Sequence, residues 1–173
     1  MADRALFING APGSGKTTLA RRLAAVLELP LLTKDGIKES LADAVSVPLP
    51  TRRLGAIASD TLWSLVGAVD GAVIVESFWF AGRDDEYFRR GVATAGVTDG
   101  IEVWCEASPE TTQARFVGRP RHHAHDDEQR TDEAAEFRRL ARPISGFPVL
   151  PVDTEGPVDV DGLAARIRTL LPL

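Results

Sequence analysis

The sequence predicts an α/β fold in which a mostly parallel sheet of five strands is flanked by helices. Short apolar segments typical of buried strands alternate with segments of helical spacing along the whole chain. A glycine-rich turn joins the first strand to the first helix. The length of 173 residues, with 44% hydrophobic and 26% charged residues, suits a folded globular protein. We therefore expect a single domain over residues 1–173.

The first half of the chain contains two strand-to-helix units and a further helix. Residues 4–9 form an apolar strand, and residues 18–27 carry apolar side chains at helical spacing. Residues 29–33 form the second predicted strand and lead into a short helix over residues 37–45. A segment with two prolines interrupts the chain before the next helix, which covers residues 54–66.

The second half repeats the alternation. The apolar run 72–75 is a predicted central strand, and residues 84–95 form a polar amphipathic helix. Residues 101–105 form the fourth strand, and Ser108 is the expected N-cap of the helix that follows it. Residues 119–130 lack apolar periodicity and are predicted to form a polar loop. The last two elements are a strand over residues 149–152 and a helix over residues 160–171.

The segment Gly-Ala-Pro-Gly-Ser-Gly-Lys-Thr at residues 10–17 fits the P-loop pattern G-x-x-x-x-G-K-[ST] at every fixed position. Its glycines let consecutive N–H groups surround an anion, and the helix N-terminus adds its positive dipole end. Lys16 is expected to reach the β- and γ-phosphates of ATP, and the Thr17 hydroxyl to ligate Mg²⁺. The alternative is a chance glycine turn before a helix. The predicted nucleotide contacts are Gly10, Ala11, Pro12, Gly13, Ser14, Gly15, Lys16, Thr17 and Thr18.

The lysine of this motif stands out in the composition of the chain. Lysines occur only at positions 16, 34 and 38, against 17 arginines. Arginine is thus the usual cation of this protein, and Lys16 occupies the one position that requires a compact point charge. This choice of residue favours nucleotide triphosphate binding over the chance turn.

Two acidic residues follow predicted strands at the edge where the P-loop also lies. Asp35 comes directly after the second strand, where its carboxylate could accept the proton of an attacking hydroxyl group or hold that group in line. The alternative is that Asp35 caps the next helix. Glu76 ends the third strand and is expected either to help hold Mg²⁺ or to be a solvated strand end.

Arginines and histidines cluster after the fourth strand. Arg115 and Arg119 are four residues apart and share a helix face. They predict an arginine-containing lid over about residues 119–130 that brings guanidinium groups to the phosphates, against the alternative of a solvated helix end. His122, His123 and His125 lack a second ligand cluster in the sequence, which favours simple exposure over a metal site.

The acceptor side of the predicted crevice is less defined. Five residues are candidates for its lining, each of which could instead belong to the surface or the core: Glu39, Arg52, Arg53, Trp63 and Trp79. Phe80, next to the last of these, has the same two interpretations.

Bulk properties restrict the partners. A net charge of −5 argues against a nucleic-acid partner, which usually needs a basic face. The chain has no apolar run of twenty residues and no signal-peptide pattern, so we expect no membrane partner and a cytoplasmic location. Cys105 is the only cysteine, which excludes an internal disulfide framework. We expect a monomer or a small homo-oligomer.

Taken in order, these segments resemble the small P-loop kinases often labelled AAA-type ATPase domains. The resemblance rests on the P-loop, residues 35–38, residues 75–77 and the arginines of the lid. The group includes chloramphenicol phosphotransferase-like, zeta-toxin-like, gluconate-kinase-like and shikimate-kinase-like enzymes. In it, an acid after the second strand acts on the acceptor hydroxyl, a role that the match assigns to Asp35. The arginine spacing is similar to that of adenylate kinases, whose lid arginines stack on adenine and clamp phosphates, which implies such roles for Arg115 and Arg119.

The resemblance implies an ATP- and Mg²⁺-dependent kinase that phosphorylates a hydroxyl group of a small molecule such as an antibiotic, a sugar acid or a nucleoside. The base-reading motif of GTPases and the Gly-Gly-Gly stretch of shikimate kinases are absent from the sequence. Two alternatives stay open. In a nucleoside monophosphate kinase, Arg52 and Arg53 would bind the acceptor phosphate, and in a non-catalytic module ATP would bind without transfer.

Overall fold

The computed structural model describes residues 2–118, 122–125 and 141–173. Five strands form one sheet in which every neighbouring pair is parallel, in the order β2-β3-β1-β4-β5. Their bounds are Ala2–Gly10 (β1), Leu31–Thr33 (β2), Gly71–Glu76 (β3), Asp99–Glu106 (β4) and Val149–Asp153 (β5).

Six helices occur in the described part of the chain and cover both faces of the sheet. Their bounds are Lys16–Leu27 (α1), Lys34–Ala44 (α2), Thr51–Ala68 (α3), Asp85–Ala95 (α4), Pro109–Val117 (α5) and Val160–Leu170 (α6). None of these helices is long and apolar enough to cross a membrane.

The alternation of side chains along β1 divides the core into two layers. Leu6 and Ile8 are fully buried on one face, in a cluster with residues of α1 and α6. Ala5 and Phe7 are fully buried on the other face, in a cluster with residues of α3 and α4. Successive strand residues point to opposite faces, so a strand covered on both faces must be apolar at every position. This explains the uninterrupted apolar run that the sequence shows.

The structure confirms the predicted fold class and the type and order of the predicted strands and helices, with shifts at their ends. The second strand begins at Leu31 because the residues before it complete the end of α1. Glu28 adopts a left-handed conformation with φ 56°, and the Leu29 N–H donates to the Ala24 carbonyl oxygen at 3.2 Å. Such a bond satisfies a carbonyl that the helix end would otherwise leave unpaired.

All five strands end at the same edge of the sheet because they are parallel. That edge carries the glycine-rich loop after β1, Asp35 after β2, Glu76 at the end of β3, and the segments that follow β4 and β5. In open α/β sheets the ligand crevice lies at this edge.

Candidate active site

The glycine-rich loop adopts a conformation that only glycine supports at key positions. Gly13 has φ 85°, and a Cβ atom there would lie 2.1 Å from the Thr112 carbonyl oxygen of α5. Gly10 has φ 148°, and a Cβ atom there would lie 2.7 Å from the Cys105 carbonyl oxygen. Both distances are far shorter than a carbon–oxygen contact allows. The loop is therefore packed directly against β4 and α5, which explains why glycines are required in it.

A buried amide fixes the start of the loop. Asn9 is fully buried at the end of β1, and its Oδ1 accepts from the N–H groups of Gly10 at 2.8 Å and Trp79 at 3.1 Å. Its Nδ2 donates to Oε1 of Glu102 at 2.8 Å. The buried Glu102 carboxylate also accepts from the N–H groups of Ile144 and Ser145, at 3.0 and 2.8 Å. These contacts join the loop to the segments that follow β3 and precede β5.

A threonine and an arginine fix the far side of the loop. The buried Thr154 hydroxyl lies 2.6 Å from the Ser14 carbonyl oxygen and 2.7 Å from that of Glu106. Nη2 of Arg115 donates to the carbonyl oxygens of Thr154 and Glu155, at 3.0 and 3.1 Å. A Cβ atom on Gly15 would lie 3.6 Å from Nη1 of Arg115. The Arg115 guanidinium is therefore held beside the loop, at the position where α1 begins.

The two predicted metal-binding residues are in contact. The Thr17 hydroxyl donates to Oε1 of Glu76 at 3.2 Å. Glu76 is only 2% exposed, although it is an acidic residue at the end of a strand. Because hydroxyl and carboxylate oxygens are the hard ligands that Mg²⁺ prefers, this pair fits a Mg²⁺ ion beside the phosphates.

The thiol beneath the loop reports the local electrostatics. Cys105 is buried at the end of β4, and burial raises its pKa to about 12. The Lys16 ammonium lowers this pKa and the Glu76 carboxylate raises it. The buried sulfur therefore senses both the cation at the start of α1 and the carboxylate at the end of β3.

Asp35 lies exposed in the first turn of α2. The N-cap of that helix is Thr33, whose Oγ1 accepts from the Gly36 N–H at 3.2 Å, so the helix-cap interpretation of Asp35 is wrong. Thr33 is also the register partner of Glu76 in the sheet. Asp35 is two residues after Thr33 in the chain. It therefore lies near the edge of the sheet where Glu76 ends β3.

Two residues considered for the acceptor pocket belong to the core. Trp63 and Trp79 are each 4% exposed and stack on each other with centroids 6.1 Å apart. Both also contact the rings of Phe7 and Phe88. Their apolar surface is used in the layer between the sheet and α3 and α4. Phe80, by contrast, is partly exposed.

The other predicted residues have different positions. Arg52 and Arg53 are exposed at the start of α3, and Thr18 is exposed in α1. Arg119 and most of the predicted lid, residues 119–130, lie outside the described residues. His122 and His123 approach Asp43 of α2, and His125 approaches Glu39 of the same helix.

Comparisons with known proteins agree with this arrangement. The family model described as AAA domain matches residues 6–144. The chain is 28% identical to a proposed kinase from Chloroflexus aurantiacus, with a TM-score of 0.79 over 98% of this chain and 99% of that one. Among curated proteins, none matches the sequence.

More distant structures share the fold. Shikimate kinase from Acinetobacter baumannii in complex with shikimate is 19% identical, with a TM-score of 0.58 over 99% of this chain and 94% of that chain. The APS kinase of Mycobacterium tuberculosis in complex with AMPPNP and APS is 17% identical, with a TM-score of 0.61 over 99% and 98% of the two chains.

Proposed function

Because this chain belongs to the AAA domain family, we propose that it is a kinase that transfers the γ-phosphate of ATP to a hydroxyl group of a small molecule. The observation that carries the proposal is the contact of Thr17 with the buried Glu76, beside a glycine-rich loop locked by β4 and α5. A binding module needs only the loop, whereas phosphoryl transfer also needs a metal site and a group for the acceptor. The proposed kinase domain spans residues 1–173.

In this proposal the loop and its neighbours hold the triphosphate. The N–H groups of the loop and the ammonium of Lys16 bind the β- and γ-phosphates, where negative charge develops during transfer. Thr17 and Glu76 would hold Mg²⁺, which would supply charge neutralisation at these phosphates. Arg115 adds a fixed guanidinium beside Gly15. Arg119 keeps its predicted role in closing over the nucleotide.

Asp35 acts on the acceptor. As the acceptor oxygen forms its bond to the γ-phosphorus, the bond from that phosphorus to the β,γ-bridging oxygen breaks, and ADP leaves with the electron pair. The hydroxyl proton passes to the Asp35 carboxylate. The Asp35 carboxylate is exposed, and it has no hydrogen-bonding partner among the described residues. It is therefore accessible to a substrate.

The acceptor is proposed to be a neutral hydroxyl compound. Asp35, Glu39 and Asp43 are spaced by four residues and so lie on one face of α2. Of the three, the exposed Asp35 carboxylate is the one that faces an acceptor, and its negative charge repels an anionic one. Sugar, antibiotic and nucleoside hydroxyl groups all remain compatible with such a surface.

The proposal is tested by replacing Asp35 with Asn and screening acceptors with γ-labelled ATP. Asp35→Asn should bind ATP·Mg²⁺ with near-normal affinity and transfer phosphate roughly 10²–10⁴ times more slowly, the usual effect of losing a general base. Asp161→Asn is a matched control because Asp161 is also an exposed acid in the first turn of a helix, and that helix follows β5, at the opposite end of the strand order from β2. Unchanged transfer by Asp35→Asn would contradict the assigned role.

A second variant tests the loop. Lys16→Ala should abolish transfer and weaken ATP binding while leaving the unfolding transition unchanged, because Lys16 is only partly buried and fills no core position. Normal turnover by a folded Lys16→Ala protein would reject the P-loop assignment. ATP binding without transfer to any acceptor in the screen would favour the binding module.

A further inference from the structure

Two histidines of the described segment 122–125, called here the histidine segment, pair with carboxylates of α2. Nε2 of His125 lies 2.9 Å from Oε1 of Glu39, and the His125 side chain is only 13% exposed. Nε2 of His122 lies 3.2 Å from Oδ1 of Asp43. Glu39 and Asp43 are one helical turn apart. Two successive turns of α2 therefore bind two side chains of one short segment. Asp43 and His122 are 79 residues apart in sequence, and Glu39 and His125 are 86 residues apart.

The backbone of the same segment is held from α3. The Thr51 hydroxyl, at the first position of α3, donates to the Ala124 carbonyl oxygen at 2.8 Å. Ala124 is 5% exposed, although neighbouring His123 is largely exposed. The His125 N–H donates to the His122 carbonyl oxygen at 3.0 Å and closes a turn. The histidine segment is thus a small folded unit seated on both helices.

A metal ion is the first explanation to consider for this cluster. Ligand atoms of Asp43, His122 and His123 all lie within 4.8 Å of one another. However, Nδ1 of His122 accepts the Ala124 N–H at 3.1 Å. A neutral imidazole with an accepting Nδ1 carries its proton on Nε2, which then donates to Asp43 and has no lone pair for a metal. The hydrogen bonds therefore favour direct docking over ligation.

The docking site lies on the face of α2 that carries Asp35. Glu39 and Asp43 follow Asp35 at intervals of four residues, so the three carboxylates project from one side of the helix. The histidine segment is joined through three residues to Gly118, the C-cap of α5. Helix α5 carries Arg115, which is fixed beside the nucleotide loop. The histidine segment thus contacts the helix of the acceptor carboxylate and follows, in the chain, the helix that holds Arg115.

We propose that Glu39, Asp43, His122 and His125 are positioning residues that set the orientation of α2, and with it Asp35, relative to the nucleotide loop. This inference rests on the proposed kinase function. The four residues act through Asp35 and do not touch the phosphates. Their loss therefore changes how the acceptor is held and leaves ATP binding intact.

The test compares three histidine variants of untagged protein. His122→Ala and His125→Ala each remove a docking contact, whereas His123→Ala is a matched control because its side chain is 70% exposed and lies 4.0 Å from Asp43. We expect hydrogen exchange of the peptide that contains residues 122–125 to become about tenfold faster in the first two variants and unchanged in the control, as for loss of one hydrogen bond to a charged group.

Steady-state kinetics then separate positioning from a merely structural role. His125→Ala should raise the KM for the acceptor and lower kcat about tenfold or more, because small misplacement of a reacting group costs much of the rate. The KM for ATP should not change. The double variant Glu39→His with His125→Glu places the histidine on α2 and the carboxylate on the histidine segment. Because this restores the contact, both the KM for the acceptor and kcat should return most of the way to the parent values.

The possible outcomes are distinct. Unchanged hydrogen exchange in His122→Ala and His125→Ala, or unchanged acceptor kinetics despite faster exchange, would overturn the proposal. Slower exchange of the parent protein on addition of Zn²⁺, lost in His123→Ala, would overturn it in favour of a metal site. Failure to phosphorylate any acceptor would reject the proposed function instead, and the exchange measurement would still decide whether the docking exists.

Discussion

At the scale of single residues, the nucleotide loop is defined by what its glycines exclude. Gly13 combines a left-handed backbone with direct contact to the backbone of α5, so an added methyl group would meet both a conformational and a steric penalty. Gly82 has almost the same backbone angle, φ 87°, but nothing lies within 4 Å of the position of its Cβ atom. The two glycines therefore allow strain and collision to be measured separately.

Gly13→Ala should lower the free energy of unfolding by about 3 kcal/mol or more, from left-handed strain plus overpacking, and should abolish ATP binding. Gly82→Ala should cost only about 1 kcal/mol, the strain alone, and leave ATP binding unchanged. Denaturant unfolding and calorimetric titration with ATP·Mg²⁺ measure these quantities. Equal stability losses in the two variants would show that the contact between the loop and α5 is unimportant.

Residues also differ in how far the sequence predicts their placement. Glu76 was expected near the metal, and the structure brings it to Thr17, 59 residues away. Asn9, Glu102 and Thr154 were not predicted, although they tie the loop to three other segments. Their partners are local in space but distant in sequence, and a single polar residue in an apolar strand gives no periodic signal. For Asn9, its position directly before the glycine-rich motif was the only sign in the sequence of a contact with the loop.

At the scale of elements, helix α2 depends on a cap that the sequence does not reveal. Asp35 precedes most of the helix and looks like an N-cap, yet Thr33 occupies that position while also ending β2. A residue that ends a strand and caps a helix at once is recognised only when the length of the strand is known. The pattern predicts the element but not its first residue, because strand ends depend on pairing with β3.

Thr33→Ala should therefore destabilise the protein by about 1 kcal/mol through loss of the N-cap, and Thr33→Ser should restore most of that loss. Thermal or urea unfolding checks the change. The Asp35→Asn variant serves as the comparison, since it alters charge in the first turn but leaves the cap in place. A larger stability loss in Asp35→Asn than in Thr33→Ala would contradict the assignment of the cap.

At the scale of the whole molecule, the parallel sheet assembles the candidate site. The strand order places β1 at the centre, and the loop that follows it is contacted from segments after β4 and β5 on one side and from β3 on the other. Alternating strand and helix patterns predict this class of sheet, because parallel strands need helical crossovers. These patterns do not predict the strand order, because an apolar strand can pair with any other apolar strand and still have both of its faces covered by helices.

This assembly makes the single thiol a reporter of nucleotide binding. Cys105 lies directly beneath the loop, its carbonyl oxygen 2.7 Å from the position of a Cβ atom on Gly10, and is 2% exposed. Burial raises the pKa of this thiol to about 12, so the thiol is protonated at pH 8, whereas thiolate is the reactive form. A thiol reagent should therefore modify Cys105 only after the loop or the whole domain opens.

ATP·Mg²⁺ at about one hundred times its dissociation constant should slow that modification about 100-fold, because a ligand bound to the closed state lowers the population of the open state by mass action. The rate is followed with a chromogenic disulfide reagent at pH 8, with unfolded protein as the fast reference. Lys16→Ala should lose the protection at the same ATP concentration, since its affinity is reduced. If ATP·Mg²⁺ binds by calorimetry but does not slow the modification, the thiol and the nucleotide loop open independently. Nucleotide binding at the loop would then not stabilise the packing of β4 around Cys105.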